Sequence, residues 1–148
     1  MSGCQCTLLR KATRRLSRLY DMAVASSGLK TTQAAILAEI NRSQPCPMGG
    51  LAEAMVMDAG ALAHTLKPLE RDGFVAVEID ARDRRNRLVS LTLAGREKME
   101  ETQILLAEAH RGFEAAIGPD GWEKLRESLY LVISDDFQES FEAALPKR

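Results

Sequence analysis

Four arginines and two aspartates are concentrated in one short polar stretch, residues 80–87, between two apolar segments. Residues 74–79 are rich in β-branched and aromatic side chains, and residues 88–93 alternate apolar with polar ones, so each segment suits a strand. A hairpin with an arginine-rich tip is typical of proteins that follow a nucleic-acid backbone. The alternative is a charged turn that is only solvated. The arginines are Arg82, Arg84, Arg85 and Arg87.

Two cysteines, Cys4 and Cys6, stand one residue apart just ahead of the first predicted helix. The positive end of a helix dipole favours thiolate, and nearby Arg10 and Lys11 act in the same direction. The pair therefore predicts a reactive thiol with a neighbouring resolving thiol. The alternative is two inert cysteines in a frayed terminus. An odd total of three cysteines argues against a structural disulfide framework.

The first helix, predicted over residues 7–26, is strongly basic. Arg10, Arg14 and Arg18 recur at four-residue spacing and repel one another mildly. Acids elsewhere in the fold, a partner subunit or a bound anion would offset that cost, and a solvated basic face is the alternative. Arginine suits a carboxylate or a phosphate, so three arginines are candidate ligand anchors. These are Arg14, Arg15 and Arg18. A second face is predicted to be buried, formed by Leu9, Ala12, Leu16, Leu19 and Ala23.

The length, charge and hydropathy of the chain limit the class of protein to which it can belong. A chain of 148 residues suits one domain, and its net charge of −1 hides a basic start, residues 1–18, and an acidic segment, residues 135–142. We expect a cytoplasmic protein, because no segment is apolar for long enough to span a bilayer and no signal-peptide apolar region is present. No catalytic constellation, cofactor motif or zinc-ligand set is recognisable, which predicts a protein that is not an enzyme.

The elements around the hairpin give it a context. Thr31 or Thr32 is predicted to cap a helix over 32–42, in which Ala35, Ile36, Leu37 and Ile40 are available for burial. Residues 43–50 are predicted as a loop. A short helix over 51–56, a turn over 57–60 and a longer helix over 61–72 follow, which together form a helix-turn-helix. The inner face of the longer helix is predicted to carry Leu62, Leu66 and Leu69. Gly73 is predicted to end this unit in a left-handed conformation. A hairpin directly after a helix-turn-helix makes a winged helix.

Two further helices complete the chain. Thr92 is predicted to cap one over 93–117, and Gly118-Pro119 separates it from a last helix over 120–144. The apolar band of the last helix is wide enough to contact a second chain as well as its own. The predicted fold class is mainly α with a small β-hairpin wing, in which the N- and C-terminal helices form a dimerisation layer. Residues 1–30 and 96–148 are assigned to that layer and residues 31–95 to the winged helix.

With these elements in place, the chain resembles the MarR-type transcriptional regulators, the multiple-antibiotic-resistance family. The resemblance covers nearly the whole chain and is strongest at the wing, where an Asp-x-Arg-Asp-x-Arg-like run precedes an apolar-x-Leu-Thr strand. The residues that carry it are Leu69-Glu70-Arg71-Asp72-Gly73-Phe74-Val75, Asp80-Ala81-Arg82-Asp83-Arg84-Arg85, Val89-Ser90-Leu91-Thr92 and Gly95. The resemblance implies a homodimer on a pseudo-palindromic operator in double-stranded DNA. It also implies repression that a small anionic or aromatic ligand or an oxidant relieves.

The resemblance assigns roles to individual residues. Arg85, with Arg84, would lie at the wing tip in or beside the minor groove, where negative potential is concentrated. Asp83 would hold a neighbouring arginine, for which Arg82 is the candidate. The recognition helix departs from the family pattern, because alanine and glycine cannot make bidentate base contacts and a histidine replaces the expected arginine. Its candidate DNA contacts are Gly60, Ala61, His64, Thr65 and Lys67.

The departure has two consequences. We expect weaker base recognition by the helix, and a larger share of DNA affinity from the wing arginines, including Arg87. The competing hypothesis is a winged-helix protein-interaction module with weak or no DNA binding.

Overall fold

The computed structural model describes residues 4–146. Seven α-helices and three short strands make up this part of the chain. The helices are α1 (Gln5–Val24), α2 (Thr31–Ser43), α3 (Met48–Ala54), α4 (Ala59–Arg71), α5 (Leu93–Ile117), α6 (Pro119–Val132) and α7 (Asp135–Ala144). The strands are β1 (Cys46–Pro47), β2 (Val75–Ile79) and β3 (Arg87–Leu91), and a 3-10 turn, Ala25–Ser27, follows α1.

The chain divides into two compact units, the first ending at Ala109 and the second beginning at His110. The first unit contains the buried core, to which α2, α3, α4, the sheet and the start of α5 contribute. The predicted inner face of α4 is confirmed, because Leu62, Leu66 and Leu69 are all buried. Ile36, Leu37 and Ile40 of α2 are also fully buried, while Ala34 is buried in place of the expected Ala35.

The sheet differs from the prediction in having a third strand. The predicted loop over 43–50 contains β1, whose Cys46 pairs with Val89 of β3, and it also contains the start of α3. Gln44 extends this join, because its Oε1 accepts a hydrogen bond of 2.9 Å from the Leu91 amide. Strand β1 could not be predicted from the sequence, because two residues are too few to show alternation and the nearby prolines are typical of a loop.

The chain between α1 and α2 also departs from the prediction. Neither Thr31 nor Thr32 caps α2 with its own side chain, because the N-cap residue is Lys30. Gln33 closes this end, since its Oε1 accepts a hydrogen bond of 2.9 Å from the Lys30 amide. Asp21 of α1 supplies a second acceptor, at 2.8 Å from the Thr31 amide. The α2 start is therefore capped partly by a residue ten positions earlier.

The predicted buried face of α1 is wrong for the single chain. Leu9, Ala12 and Leu19 are exposed, Leu16 and Ala23 are half-buried, and Val24 is the one fully buried residue of this helix. An apolar stripe predicts that a face is covered by something, and it does not say whether the cover is the same chain.

The second unit corrects the prediction of one last helix. Helix α6 ends at Val132 and α7 begins at Asp135, because Ser134 interrupts the helix and caps the next one. Its Oγ accepts a hydrogen bond of 3.2 Å from the Phe137 amide. Within this unit Phe113 meets Trp122 edge to face, with ring centroids 5.4 Å apart. No residue of α6 or α7 is buried, although both helices carry large apolar side chains.

Candidate nucleic-acid interface

The wing is anchored at its base and exposed at its tip. Strands β2 and β3 pair antiparallel from Val75 opposite Leu91 to Ile79 opposite Arg87. Val75, Val89 and Leu91 at the base are buried, whereas Ile79 and Arg87 near the tip are exposed. The base therefore belongs to the core of the winged helix, and the pairing holds the tip away from it.

Two aspartates shape the wing tip. Asp80 Oδ1 accepts a hydrogen bond from the Arg82 amide at 2.9 Å, and Asp83 Oδ1 accepts one from the Arg85 amide at 3.1 Å. In each case the aspartate side chain accepts from the amide two residues later in the chain, which is an Asx-turn. The Asp80 amide donates to the Asn86 carbonyl at 3.0 Å and closes the loop. Asp83 therefore forms a turn at the wing tip.

Asp83 also orients an arginine, but not the predicted one. Its Oδ1 accepts a bond of 3.3 Å from Arg85 Nε, so the partner of Asp83 is Arg85 and not Arg82. The Arg85 side chain is 92% exposed, and a pair so exposed contributes little stability. Its effect is to hold one guanidinium in a defined direction at the end of the wing.

The other three arginines of the tip are unpaired. Arg82, Arg84 and Arg87 are exposed, and within residues 4–146 none of them forms an ion pair. Exposed guanidinium groups can bind phosphate oxygens without first breaking an internal contact. The structure places Arg82, Arg84 and Arg85 on the loop between β2 and β3, and Arg87 at the first residue of β3.

The recognition helix α4 begins two residues earlier than predicted. Asp58 is its N-cap, with Oδ1 accepting a hydrogen bond of 2.8 Å from the Ala61 amide. An aspartate followed by a helix could have revealed this cap from sequence, because aspartate is among the preferred N-cap residues. The cap leaves an exposed carboxylate at the start of the predicted recognition helix.

The predicted contact residues of α4 differ in what they offer. Gly60, Ala61, His64 and Lys67 are exposed, on turns whose other side carries the buried leucines. Thr65 is half-buried and its hydroxyl donates to the Ala61 carbonyl at 2.9 Å, so that donor is already used. His64 and Lys67 are therefore the exposed side chains of this set with polar groups to offer.

Two contacts that the sequence did not reveal join the wing to α5: the hydrogen bond between Thr92 and Gly73, and the close approach of Gly95 to Phe74. The Thr92 hydroxyl donates to the Gly73 carbonyl at 2.6 Å and accepts from the Gly95 amide at 3.0 Å, which confirms its predicted cap. A Cβ on Gly95 would lie 1.9 Å from the Phe74 carbonyl oxygen. Gly73 has φ of +80°, as its predicted left-handed conformation requires. This close approach fixes the wing base against the start of α5.

Lys98 and Asp21 link the winged helix to the end of α1. Lys98 Nζ donates to the Ser27 carbonyl at 3.1 Å and lies 5.7 Å from the centre of the Phe74 ring. Asp21 accepts from both the amide and the hydroxyl of Thr31, at 2.8 and 2.9 Å. These bonds, chiefly the one from the Thr31 amide, lower the pKa of Asp21 below its usual value. No local sequence pattern predicts that Lys98 or Asp21 makes these contacts.

The cysteines lie in two different environments. Cys4 and Cys6 are exposed, and Cys4 is the N-cap residue of α1. The backbone amides of Thr7 and Cys6 lower the pKa of the Cys4 thiol. Cys46 is buried in the core, and burial raises the pKa of its thiol.

The candidate ligand anchors share one surface of α1. Arg14, Arg15 and Arg18 line an open groove of about 600 Å³ together with three neighbours from the same helix. These neighbours are Lys11, Leu19 and Met22. All three arginines are exposed, and Leu19 and Met22 add apolar surface to the groove. Over residues 4–146 no helix is long and apolar enough to cross a membrane, and no group of three metal-ligating side chains occurs.

Comparison with known proteins decides the family. A model of the MarR family matches residues 29–86, the part of the chain that contains the helix-turn-helix and most of the wing. The chain is also 30% identical to a probable transcriptional regulator from Pseudomonas aeruginosa, over 84% of this chain and 93% of that one, with a TM-score of 0.76. The chain belongs to the MarR family.

Two further relatives extend the comparison. The crystal structure of the Mycobacterium tuberculosis transcriptional regulator MosR in complex with DNA is 29% identical, over 97% of this chain and 100% of that one, with a TM-score of 0.83. The transcriptional activatory protein BadR of Rhodopseudomonas palustris is 36% identical over 95 residues, which are 62% of this chain. The match spans only 54% of BadR, about half of its length. These MarR-family relatives are transcriptional regulators, and the predicted winged-helix fold class is confirmed.

Proposed function

We propose that this protein is a cytoplasmic, dimeric transcriptional regulator that binds a pseudo-palindromic operator in double-stranded DNA. The observation that carries the proposal is the wing tip, where four exposed arginines lie on or directly beside a loop shaped by Asp80 and Asp83. The similarity to MosR, whose structure contains DNA, supports it.

The wing and the recognition helix would contribute unequally to DNA affinity. Exposed arginines suit phosphates and a narrow minor groove, and they bind with little regard to sequence. Helix α4 offers His64 and Lys67 as exposed polar side chains, which gives it few groups for base edges. We therefore propose that affinity comes mainly from Arg82, Arg84, Arg85 and Arg87, and that DNA shape contributes much of the specificity.

Dimerisation would use residues 1–30 and 96–148, with residues 31–95 as the DNA-binding region. Large apolar side chains on α1, α6 and α7 are exposed in the single chain, among them Leu8, Met22, Tyr130 and Phe141. Large exposed apolar side chains on a helix mark an interaction site. A symmetric pair of chains would cover it and present two winged helices to two half-sites.

A band shift tests the proposal with a duplex from the promoter region of its own gene and a random duplex of equal length. Arg85→Ala should weaken binding about tenfold through loss of a charged contact, and more than His64→Ala does. The salt dependence of affinity should become shallower by about one unit of slope for the arginine variant. A larger loss from His64→Ala would show that the helix dominates recognition. Absence of any shift with wild type would support the protein-interaction alternative.

Regulation would be repression, released by thiol oxidation or by a small ligand. For oxidation, the Cys4 thiolate attacks peroxide, forming sulfenic acid and releasing hydroxide. The Cys6 thiol then displaces water from Cys4 to form a disulfide. The lowered pKa of Cys4 at the helix start supports this order of events. Any ligand would be a small anionic or aromatic molecule, anchored by Arg14, Arg15 or Arg18 in the groove on α1.

The two modes of release are separable. Peroxide should release wild-type protein from DNA but not Cys4→Ser or Cys6→Ser, while Cys46→Ser should respond like wild type because Cys46 is buried. Oxidised wild type and oxidised Cys46→Ser should each lose two free thiols per chain, which a thiol count measures. If all four proteins respond alike, the release does not pass through these cysteines and the ligand groove becomes the site to test.

A further inference from the structure

The side chain of Lys98 lies where three parts of the first unit meet. Its Nζ donates a hydrogen bond of 3.1 Å to the Ser27 carbonyl, at the end of the 3-10 turn that follows α1. The same nitrogen lies 5.7 Å from the centre of the Phe74 ring at the wing base, and 2.6 Å from Glu101 Oε2 in the next turn of α5. A carbonyl oxygen, a ring face and a carboxylate all attract positive charge, so an ammonium group suits this position.

Lys98 belongs to the side of α5 that faces the core. The buried residues of α5 are Gly95, Met99 and Thr102, and Lys98 comes three residues after the first of these and four before the last. Its side chain is only 22% exposed, and its own carbonyl accepts a hydrogen bond of 3.1 Å from the Thr102 hydroxyl. Burying much of a lysine costs free energy unless its charge is paired. The three contacts of the ammonium group offset that cost.

The Ser27 end of this contact is fixed by its own hydrogen bonds. Ser27 is buried, and its Oγ donates to the Val24 carbonyl at 2.6 Å and accepts from the Leu29 amide at 3.2 Å. Gly28, with φ of +78°, then begins the connection to α2. The carbonyl that Lys98 contacts thus lies at a helix end, where the partial negative charge of the terminus favours a cation.

The Phe74 end of the contact leads directly into the wing. Phe74 precedes Val75, the first residue of β2, and its carbonyl accepts a hydrogen bond of 3.1 Å from the Thr92 amide. The backbone of Phe74 is therefore held at the junction of β3 and α5, while its ring meets Lys98. Any rotation of the base is enlarged at the tip, because a strand of about five residues spans about 17 Å and a tilt of about 10° moves its far end by about 3 Å.

We propose that Lys98 is a positioning residue for DNA binding. Its ammonium group fixes the Phe74 ring against the end of α1, and in this way sets the direction in which β2 and β3 carry the wing arginines. The inference rests on the proposed role of the wing in DNA binding, and it adds a residue that lies outside the wing and acts through Phe74. Phosphate contacts need the tip within hydrogen-bond distance of the DNA backbone, so a displacement of about 3 Å loses them.

Substitutions at Lys98 and Phe74 separate the charge from the apolar stem. Lys98→Met removes the ammonium group and keeps an unbranched side chain that suits a helix, whereas Lys98→Arg keeps the charge and can lie over an aromatic ring. Phe74→Leu removes the ring, and the variant with both Lys98→Met and Phe74→Leu completes a double-mutant cycle. Lys124→Met is the matched control, because Lys124 is exposed and forms no ion pair within residues 4–146. Urea unfolding checks that each variant is folded under the assay conditions.

A band shift with the promoter duplex measures the effect on DNA affinity. Lys98→Met should weaken binding about tenfold, because loss of the charged hydrogen bonds frees the Phe74 ring to move. Phe74→Leu should weaken it to a similar degree, and the double variant should bind within about threefold of the weaker single variant, since both changes release the same contact. Lys98→Arg and Lys124→Met should each stay within about threefold of wild type.

Amide NMR on the free protein gives a signature that a general loss of stability does not. The Gly28 amide shares a peptide group with the Ser27 carbonyl, so the loss of the hydrogen bond from Lys98 should shift the Gly28 resonance in Lys98→Met. The Thr92 amide, which donates to Phe74, should shift with it. Amides of the wing tip that bond to aspartates of the same loop should keep their positions. Lys98→Arg should return both shifted resonances toward their wild-type positions.

The role of Lys98 is overturned if Lys98→Met binds DNA as well as Lys124→Met does, or if the losses from Lys98→Met and Phe74→Leu multiply in the double variant. If wild type shifts its promoter duplex in either case, the proposed function stands. If wild type shows no shift, the proposed function fails, and the Gly28 and Thr92 amides still decide whether Lys98 holds the wing base. Resonances that stay unchanged in Lys98→Met overturn that contact as well.

Discussion

The winged helix and the terminal helices bury their apolar residues to very different degrees. Fourteen residues from Leu29 to Met99 form one buried core in the winged helix and the start of α5. Helices α6 and α7 have no buried residue, and α1 has one. In the winged helix the single chain buries the apolar side chains. In the terminal helices the apolar pattern is equally clear, but the single chain leaves those side chains exposed. A similar sequence signal can therefore describe a core or an interface.

The largest expected difference between the two regions is the cost of removing a leucine. Leu66→Ala empties a site in the closed core and should lower the free energy of unfolding by about 3 kcal/mol. Leu19→Ala deletes the same atoms from a side chain that is 53% exposed. We expect it to cost under about 0.5 kcal/mol at protein concentrations where the chain is monomeric. Urea unfolding at several protein concentrations measures both, and equal costs at low concentration would show that α1 is covered by its own chain.

Gly95→Ala tests how tightly the wing is fixed to α5. The new Cβ would meet the Phe74 carbonyl oxygen at 1.9 Å, so the backbone must move. We expect a loss of about 2 to 3 kcal/mol in the free energy of unfolding, together with weaker DNA binding. Gly112→Ala is the matched control, because it lies in the same helix with open space around its Cβ position. If Gly95→Ala were as stable as Gly112→Ala, the backbone around Phe74 would relax easily enough to accept the new Cβ.

Asp21 tests the connection between the two regions. Asp21→Ala removes the acceptor for the Thr31 amide and hydroxyl and should cost about 1 kcal/mol near neutral pH, as other helix caps do. The folded-state pKa of Asp21 lies below its usual 3.8, so its contribution is fully present above that pH. The contribution is lost as the pH falls through the lower, folded value. Unfolding of both proteins along a pH series should therefore show the difference narrowing in acid, and a constant difference would assign it to packing.

The smallest expected effect is a gain in stability. Val56, in the turn before the recognition helix, has φ of +50° and is 71% exposed. A β-branched residue is strained in this left-handed conformation, while glycine adopts it freely. Val56→Gly should raise the free energy of unfolding by about 0.5 kcal/mol after the entropy of glycine is subtracted. Thermal unfolding measures it against Val77→Gly in β2, which should be destabilising, and a loss from both would mean that the strain at Val56 is negligible.

Much of the winged helix was predictable because its signals are local. The leucines at positions 62, 66 and 69 of α4, the left-handed Gly73 and the Thr92 cap were each predicted from neighbours in sequence and are confirmed. The errors involve distant partners. Strand β1 exists through its pairing with β3, and α2 is capped by Asp21 from another helix.

The candidate site shows the same division. Residue types alone placed four arginines at the wing tip and left α4 with few polar groups for base contacts. They did not reveal that Asp83 orients Arg85, because the choice between Arg82 and Arg85 depends on how the turn folds. The DNA-contacting roles of these residues stay predictions.

The sequence by itself determined the order of the elements apart from β1 and the break between α6 and α7, together with the winged-helix class and the charge of the wing. Short-range periodicity, caps and composition encode all three. Only the tertiary structure decided which apolar faces a single chain covers, which carboxylate holds which partner, and why residue 95 must be glycine. Those outcomes depend on contacts between residues far apart in sequence. The apolar face of α1 is the clearest case, because its pattern is plain in the sequence while its exposure is visible only in the fold.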